Sequence, residues 1–181
     1  MTGKFAQLAD QHVFLEDLNL NNNQLVGILT AQIGWKSDKL RTIRLAGNYL
    51  SGGLPWTMGV IAPDLEILEI SRNQLTGSLP DLWSSSLNGG LRIFDVADNR
   101  MEGTLPEALG ELISLEELNV SGNVDIIGTI PVSLAVLGNL SALDITNTPM
   151  TGLIPEELCR KWKEDGVVEI QADCDKVGCC D

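Results

Sequence analysis

The segment LEILEISRNQLTGSLP, from Leu65 to Pro80, determines the fold because it recurs along most of the chain. Related segments start 24 to 26 residues apart, at Leu15, Leu40, Leu91, Leu115 and Leu140. Self-similarity at a fixed period of this length is typical of a solenoid, in which each repeat forms one coil. One coil cannot bury its apolar side chains alone, so stacked coils must bury them together.

Alternating residues within each repeat predict a short β-strand. In the quoted repeat, Leu65, Leu68 and Ile70 take inward positions, whereas Ile67 and Glu69 take outward ones. A side-chain period of two residues is the pattern of a strand. Neighbouring strands stand about 4.8 Å apart, so the outward residues of all repeats should form columns across one exposed sheet.

An asparagine follows the last inward position of each of the first five predicted strands by three residues. The predicted structural asparagine ladder is Asn23, Asn48, Asn73, Asn99 and Asn123. Stacked asparagines can hydrogen-bond the turn backbones of adjacent coils, where each buried unpaired group would cost about 1–3 kcal/mol. The sixth repeat departs from this pattern and has Thr148 at the ladder position.

The second half of repeats two to six ends in Gly-x-Leu-Pro or Gly-x-Ile-Pro, as in Gly77 to Pro80. With the Leu-x-x-Leu-x-Leu-x-x-Asn core, this closely resembles the plant-type leucine-rich repeats of receptor-kinase ectodomains and polygalacturonase-inhibiting proteins. The resemblance implies an α/β solenoid: a right-handed leucine-rich repeat superhelix with a parallel β-sheet on the concave face, about six repeats plus caps. It also implies a second, smaller strand at the Gly-x-Ile-Pro segment.

We expect three regions: an N-terminal cap or partial repeat over residues 1–14, six leucine-rich repeats over 15–158 and a Cys-containing C-terminal cap over 159–181. The start of the chain lacks the apolar core of a secretory signal. Members of the resembled family usually carry a cysteine pair at this end, and none is present. Both observations favour a fragment of a longer secreted or membrane-anchored protein.

The C-terminal cap is predicted to contain a short helix, Glu156–Glu164, and a final edge strand, Val167–Ile170, which would place Glu169 in the same column as Asp144. All four cysteines lie in this region, at Cys159, Cys174, Cys179 and Cys180. Such clustering favours disulfides and an oxidising compartment, and the preferred bridge joins Cys159 to Cys174. Zinc is a competing interpretation, but there is no Cys-x-x-Cys pair and the one histidine lies at the other end of the chain. We therefore predict no metal.

Charge and motif content exclude several functions. The net charge of −13 disfavours nucleic acids and anionic membranes as partners, whereas basic peptides or proteins are compatible with it. No apolar run is long enough to insert into a membrane. There is no nucleophile elbow, phosphate-binding glycine loop or histidine–carboxylate cluster, so we predict no enzyme and no cofactor.

The outward strand residues near the middle of the array are the candidate ligand-binding site. Ile67 and Ile93, flanked by Glu69 and Asp95, would suit a peptide with one apolar and one basic anchor. The full set of candidates on the concave face is Arg44, Ile67, Glu69, Ser71, Arg72, Ile93, Asp95, Asp98, Asn119 and Asp144. A neighbouring row of alternating charges should form ion pairs between strands, and it comprises Glu16, Arg41, Glu66, Arg92 and Glu116.

Two tripeptides match the glycosylation motif, at Asn119 and Asn139. Asn139 is the better acceptor, because a glycan on Asn119 would project from the concave face and block a ligand.

The resemblance implies a non-catalytic recognition module that binds a peptide, protein or polysaccharide through its concave face. It would be an extracellular receptor-like or secreted protein, with a possible co-receptor. The alternatives are a structural or adhesive extracellular repeat protein and an intracellular scaffold.

Overall fold

The computed structural model describes residues 2–4, 15–29, 39–58, 62–81, 90–163, 169–173, 175 and 177–178. Within these ranges the chain is an α/β solenoid built from parallel strands, which confirms the fold predicted from the repeats. Most of the predicted N-terminal cap lies outside the described residues.

The strands follow one another in chain order, and most are only three to five residues long. They are β1 (Thr2–Lys4), β2 (Asp17–Asn19), β3 (Gln24–Ile28), β4 (Thr42–Arg44), β5 (Tyr49–Gly52), β6 (Ile67–Glu69), β7 (Gln74–Gly77), β8 (Ile93–Asp95), β9 (Arg100–Thr104), β10 (Glu117–Asn119), β11 (Asp125–Ile127), β12 (Ala142–Asp144), β13 (Gly152–Leu153), β14 (Glu169–Gln171) and β15 (Val177–Gly178).

Each complete coil contributes one strand to each of two sheets. The even-numbered strands β2 to β14 form a seven-stranded parallel sheet, whose solvent side is the concave face. The odd-numbered strands β1 to β11 form a second, six-stranded parallel sheet, and β13 pairs separately with β15. The second sheet lies at the Gly-x-Ile-Pro segments, as the resemblance implies.

Short helices lie on the opposite, convex side of the C-terminal coils. Two 3₁₀ helices span Glu107–Glu111 and Val132–Val136, and an α-helix, α1, spans Glu156–Lys163. The second 3₁₀ helix contacts both the first one and α1, so the three stack in chain order along the solenoid.

The core is one continuous column of aliphatic side chains that runs between the two sheets. Leu65, Leu68 and Ile70 are completely buried, whereas Ile67 and Glu69 are partly exposed, so the alternation predicted for this repeat is confirmed. Phe94 is the one aromatic side chain among the described buried residues.

Ladder asparagines hold adjacent coils together. The Asn99 amide donates to the carbonyls of Ile70 in the preceding coil and of Val96 in its own, both at 3.0 Å. The Asn99 Oδ1 accepts from the amide of Leu75, also in the preceding coil, at 2.9 Å. Asn48, Asn73 and Asn123 make the corresponding bonds. In the sixth coil Thr148 takes the ladder position, and its hydroxyl donates to the carbonyl of Ile145 at 2.7 Å.

The last strand begins later than the repeat period predicts. Leu143 pairs with Ile170 across β12 and β14, so the spacing at this point is 27 residues and Glu169 lies opposite Ala142. The prediction that Glu169 shares a column with Asp144 is therefore wrong, and Gln171 lies there instead. The physical reason is that the last coil has the α-helix α1 where the two preceding coils have a 3₁₀ helix. An α-helix rises about 1.5 Å per residue and a 3₁₀ helix about 2.0 Å, so the α-helix needs more residues to span the same distance.

Cys159 lies on α1, half-buried against the core, and is disulfide-bonded. Its partner lies outside the described residues, as do Cys174, Cys179 and Cys180, so the bridge between Cys159 and Cys174 stays a prediction.

Replacing Asn99 with Ala tests the ladder. The change leaves the buried amide of Leu75 without its acceptor. It also removes one of the two donors to the carbonyl of Ile70, which keeps its bond from Asn73. We therefore expect a loss of about 2–3 kcal/mol in the free energy of unfolding. Urea denaturation followed by circular dichroism measures this loss. The exposed Asn139→Ala variant, which loses one bond to the carbonyl of Ile113, is the control and should lose less than about 1 kcal/mol. Equal losses in the two variants would contradict a special role for the ladder.

Candidate ligand-binding face

Strand pairing brings the four central residues of the predicted binding patch together. Ile67 lies opposite Ile93, and Glu69 lies opposite Asp95, across β6 and β8. All four side chains are partly exposed on the concave face. The central strands therefore present two adjacent aliphatic side chains beside two adjacent carboxylates.

Arg44 neutralises one of these carboxylates. The Arg44 Nε lies 2.8 Å from Glu69 Oε2, and the two side chains are only 30% and 25% exposed. An ion pair that is largely shielded from water is screened less than one at the surface. A basic ligand group would have to displace Arg44 in order to reach Glu69, so Glu69 is a poor anchor for it.

Asp95, Asn119 and Asp144 each fold back onto the turn that follows their strand. The Oδ1 atom of each accepts a hydrogen bond from the backbone amide two residues later, at 3.0–3.1 Å. The hydroxyls of Ser121 and Thr146 donate to the same Oδ1 atoms of Asn119 and Asp144. These bonds fix the side chains in place, and they leave the second oxygen of each aspartate for a ligand.

The remaining candidates lie at the border of this face, where the strands end. Ser71 is only 8% exposed and offers little surface to a ligand. Arg72 and Asp98 are exposed at left-handed turn positions, with φ of 53° and 52°. The carboxylate of Asp98 leans over Gly122 in the next coil so closely that a Cβ there would collide with it.

A shallow depression of about 180 Å³ lies further along the sheet, over β10, β12 and β14. Its floor is Ala142, which stands between Glu117 and Glu169 in one column because it pairs with both. The other lining residues are Leu118, Asn119, Leu143, Asp144 and Gln171. The small alanine creates the hollow, and three carboxylates surround it without any lysine or arginine in the lining.

The sequence analysis does not include Glu117, Glu169 or Gln171 among its candidate binding residues, although all three line the depression. Glu117 is recognisable in the sequence as an outward strand residue. A small residue between two acidic ones in the same column, as Ala142 is between Glu117 and Glu169, is the sequence signal for such a depression. Glu169 and Gln171 could not be aligned, because the 25-residue period does not hold at the cap.

Ion pairs join neighbouring strands along the row of alternating charges. Arg41 pairs with Glu66 at 2.6 Å, and Arg92 makes two bonds to Glu116, at 2.8 and 2.9 Å. The hydrogen bond from Arg92 lowers the pKa of Glu116, and the same contact raises the pKa of Arg92.

The described part of the chain contains neither a metal-binding cluster nor a membrane-spanning helix. No group of histidine, cysteine and acidic residues there has the arrangement to hold a metal ion. No helix within the same residues has the length and apolar character needed to cross a membrane. Asn139 is exposed, and Asn119 is half-buried within the depression.

Comparisons with known proteins place this geometry among recognition proteins. The family model for the leucine-rich repeat matches residues 39–60, 64–86 and 139–160. No curated protein sequence matches the chain.

Solved structures of receptor kinases are similar over almost the whole chain. The ectodomain of the Arabidopsis thaliana receptor kinase GASSHO1/SCHENGEN3, in complex with CASPARIAN STRIP INTEGRITY FACTOR 2, is 27% identical, with a TM-score of 0.82 over 94% of this chain and 19% of that one. The Arabidopsis receptor kinase HAESA, in complex with the peptide hormone IDA and the co-receptor SERK1, is 31% identical, with a TM-score of 0.80 over 94% of this chain and 28% of that one.

A shorter relative matches over more of its own length. Pollen Receptor Kinase 3 is 28% identical, with a TM-score of 0.77 over 92% of this chain and 74% of that one. The chain thus spans between about a fifth and just over a quarter of the two larger ectodomains.

Substituting Arg92 with Gln should raise the pKa of Glu116 towards its ordinary value. In the folded chain this pKa is lowered, so the pair stabilises the fold above the unfolded-state pKa, and this contribution is lost as the pH falls through the folded-state pKa. An NMR titration of the side-chain carboxyl groups measures the change. Glu157, whose pKa is lowered by Arg160, is the internal control and should titrate as before. An unchanged Glu116 titration would show that the pair does not form in solution.

Proposed function

Because the chain belongs to the plant-type leucine-rich repeat family, we propose that it is a non-catalytic recognition module that binds a peptide or protein ligand on its concave face. The observation that carries this proposal is the acidic depression around Ala142. It provides a preformed place for a basic side chain, and the described residues that line it include neither an arginine nor a lysine.

One column of the sheet contains both anchors that a peptide would need. Ile67, Ile93, Glu117, Ala142 and Glu169 follow one another on successive strands. The apolar anchor would pack on the two isoleucines, and the basic anchor would enter the hollow over Ala142. Because Glu69 is paired with Arg44, the basic anchor is assigned to this hollow rather than to Glu69.

The spacing of the two anchors sets the shape of the ligand. Ala142 lies two strands beyond Ile93, which corresponds to about 10 Å at the usual strand spacing. An extended chain covers about 3.3 Å per residue, so the apolar and basic residues should be about three positions apart. The ligand would then run across the strands.

Electrostatics supports a basic ligand more than an uncharged one. Glu117, Asp144 and Glu169 lie together on the face of a chain with a net charge of −13. Such a surface attracts basic ligands before contact and repels acidic ones. The described columns of the concave face contain no exposed aromatic side chain on which a sugar ring could stack, so a peptide or protein is favoured over a polysaccharide.

We also propose that the protein acts outside the cell or on its surface. The disulfide bond of Cys159 suits an oxidising compartment. The exposed Asn139 begins a glycosylation motif away from the depression. Peptide-hormone receptors among the relatives bind their ligands through extracellular segments, and this setting is extended to the present chain as part of the proposal.

Selection from a phage library of random peptides tests the concave face. We expect selected peptides to contain an apolar and a basic residue about three positions apart. Changing Glu117, Asp144 and Glu169 to Gln should weaken their binding by at least about tenfold, because all three carboxylates of the depression are removed. The matched control changes three exposed acidic residues elsewhere, Asp64, Glu102 and Asp125, to Gln, and it should bind normally. A library that yields no binders, or binders affected only by the control changes, would contradict the proposal.

The extracellular setting has a separate test. Protein isolated from its own cells should show a glycan on Asn139, none on Asn119 and a peptide cross-linked between Cys159 and Cys174 in a non-reducing digest. Mass spectrometry before and after glycosidase treatment and reduction measures all three. An unmodified chain with four free thiols would contradict the extracellular setting and leave the binding test unaffected.

A further inference from the structure

The convex side carries exposed aliphatic side chains that the described coils leave uncovered. Ile113, Val132 and Val136 are 67%, 68% and 74% exposed. Val132 and Val136 are the ends of the second 3₁₀ helix. Asn139, shortly after that helix, donates a hydrogen bond to the carbonyl of Ile113, so the three residues lie on neighbouring coils of one side. Ile113, Val132 and Val136 together are called the convex patch.

The fold itself does not require apolar residues at these positions. One period before Val132 and Val136, the equivalent positions are Glu107 and Glu111, both exposed. One period after them, the equivalents are Glu157 and Lys161 on α1. The neighbouring coils therefore use charged residues where this coil uses valine.

The two sides of the patch carry opposite charge. On the N-terminal side, Glu107 and Glu111 lie on the first 3₁₀ helix, whose last turn has no basic residue. On the C-terminal side, the first turn of α1 contains Glu156 and Glu157, and its last turn contains Arg160, Lys161 and Lys163. The opposite charges therefore flank the end of the patch at Val136, where Glu111 lies on one side and the basic turn on the other.

The position of this basic turn is fixed by hydrogen bonds. The Lys161 Nζ donates to the carbonyls of Ala135 and Leu137, at 2.8 and 3.0 Å, which hold α1 against the second 3₁₀ helix. Arg160 is paired with Glu157, whereas Lys163 is exposed and makes no ion pair with any described residue. Lys163 is therefore the cation most open to a partner.

We propose that the convex patch is the interface of a homodimer, in which a second copy of the chain docks about a two-fold axis through the patch. A half-turn about that axis places the acidic side of one copy over the basic side of the other, and it does so twice per dimer. The valines of one copy cover the valines of the other. At the Val136 end of the patch, the order of acidic, apolar and basic residues along the solenoid is thus self-complementary.

The size of the patch limits the strength of this dimer. Stable specific interfaces bury about 1,200–2,000 Å² in total, and three aliphatic side chains with a charged rim form the centre of a smaller one. The dissociation constant should therefore lie at about 10–100 µM. The concave faces stay open on the outer sides, so the dimer would offer two binding sites to a multivalent ligand.

Sedimentation equilibrium of the 181-residue chain tests the proposal. Over about 5–500 µM the apparent mass should rise from that of a monomer towards that of a dimer and no further. Changing Val132 and Val136 to Ser should raise the dissociation constant by at least about tenfold, because the apolar centre is lost. Circular dichroism should show unchanged folding, because both valines are exposed. A chain that stays monomeric, or one that forms longer oligomers, would overturn the proposal.

A charge exchange tests the two-fold arrangement. Glu111→Lys and Lys163→Glu should each weaken self-association, by about 10- to 100-fold, because each places like charges together twice in the dimer. Mixing these two variants should restore association, since every contact then joins opposite charges. Asp17→Lys, a matched charge reversal at an exposed position of β2 on the concave face, should leave the dissociation constant unchanged. A mixture that does not associate, or an equal effect of the concave control, would overturn the two-fold interface.

Discussion

The structure depends on one constraint, which is that the polar backbone groups at the inner turn of each coil must find partners in the adjacent coil. The amide of Leu75 is buried, and it donates a hydrogen bond to Oδ1 of Asn99 in the next coil. The side-chain amide of the same asparagine donates one hydrogen bond to a carbonyl of the preceding coil and one to a carbonyl of its own coil. One side chain thus satisfies both neighbours, and a coil without a neighbour would leave these groups unpaired.

This constraint fixes the interior and leaves the outward strand positions free. Leu68 and Phe94 have to fill the core between stacked strands, whereas Ile67, Ile93, Glu117 and Ala142, which precede such core residues, differ from coil to coil. Variation at these positions has little consequence for the coil, because the backbone bonds are already made. Recognition can therefore be encoded on the sheet surface with little cost to stability.

The sequence predicted the strands and the ladder well because both depend on local spacing. The positions of Leu65, Leu68 and Asn73 within one repeat are enough to assign an inward side, an outward side and a turn. The alternation fails just past the strand end, where Ser71 was expected to face a ligand but is 8% exposed. The chain has already begun to turn there, and small residues at the equivalent places, Ala46 and Ala97, are buried as well.

The features that could not be predicted from the sequence depend on distances between side chains of different coils. Sequence placed Arg44 and Glu69 in one column, but only the geometry shows that they form a shielded ion pair. The strand position of Glu169 depends on the number of residues in α1, and the repeat period alone does not reveal that number. The hollow over Ala142 required both that register and the neighbouring carboxylates.

The distribution of arginines explains why the acidic charge is effective in only one part of the concave face. Arg41, Arg44 and Arg92 lie on or beside β4 to β8, and each is paired with a glutamate of the neighbouring strand. Charges paired at such short range cancel at a distance of about one Debye length, roughly 8 Å at physiological salt. The strands β10 to β14 carry no lysine or arginine. The potential there is not cancelled locally, so an approaching basic group is drawn towards the C-terminal half of the sheet, where Ala142 leaves room for it.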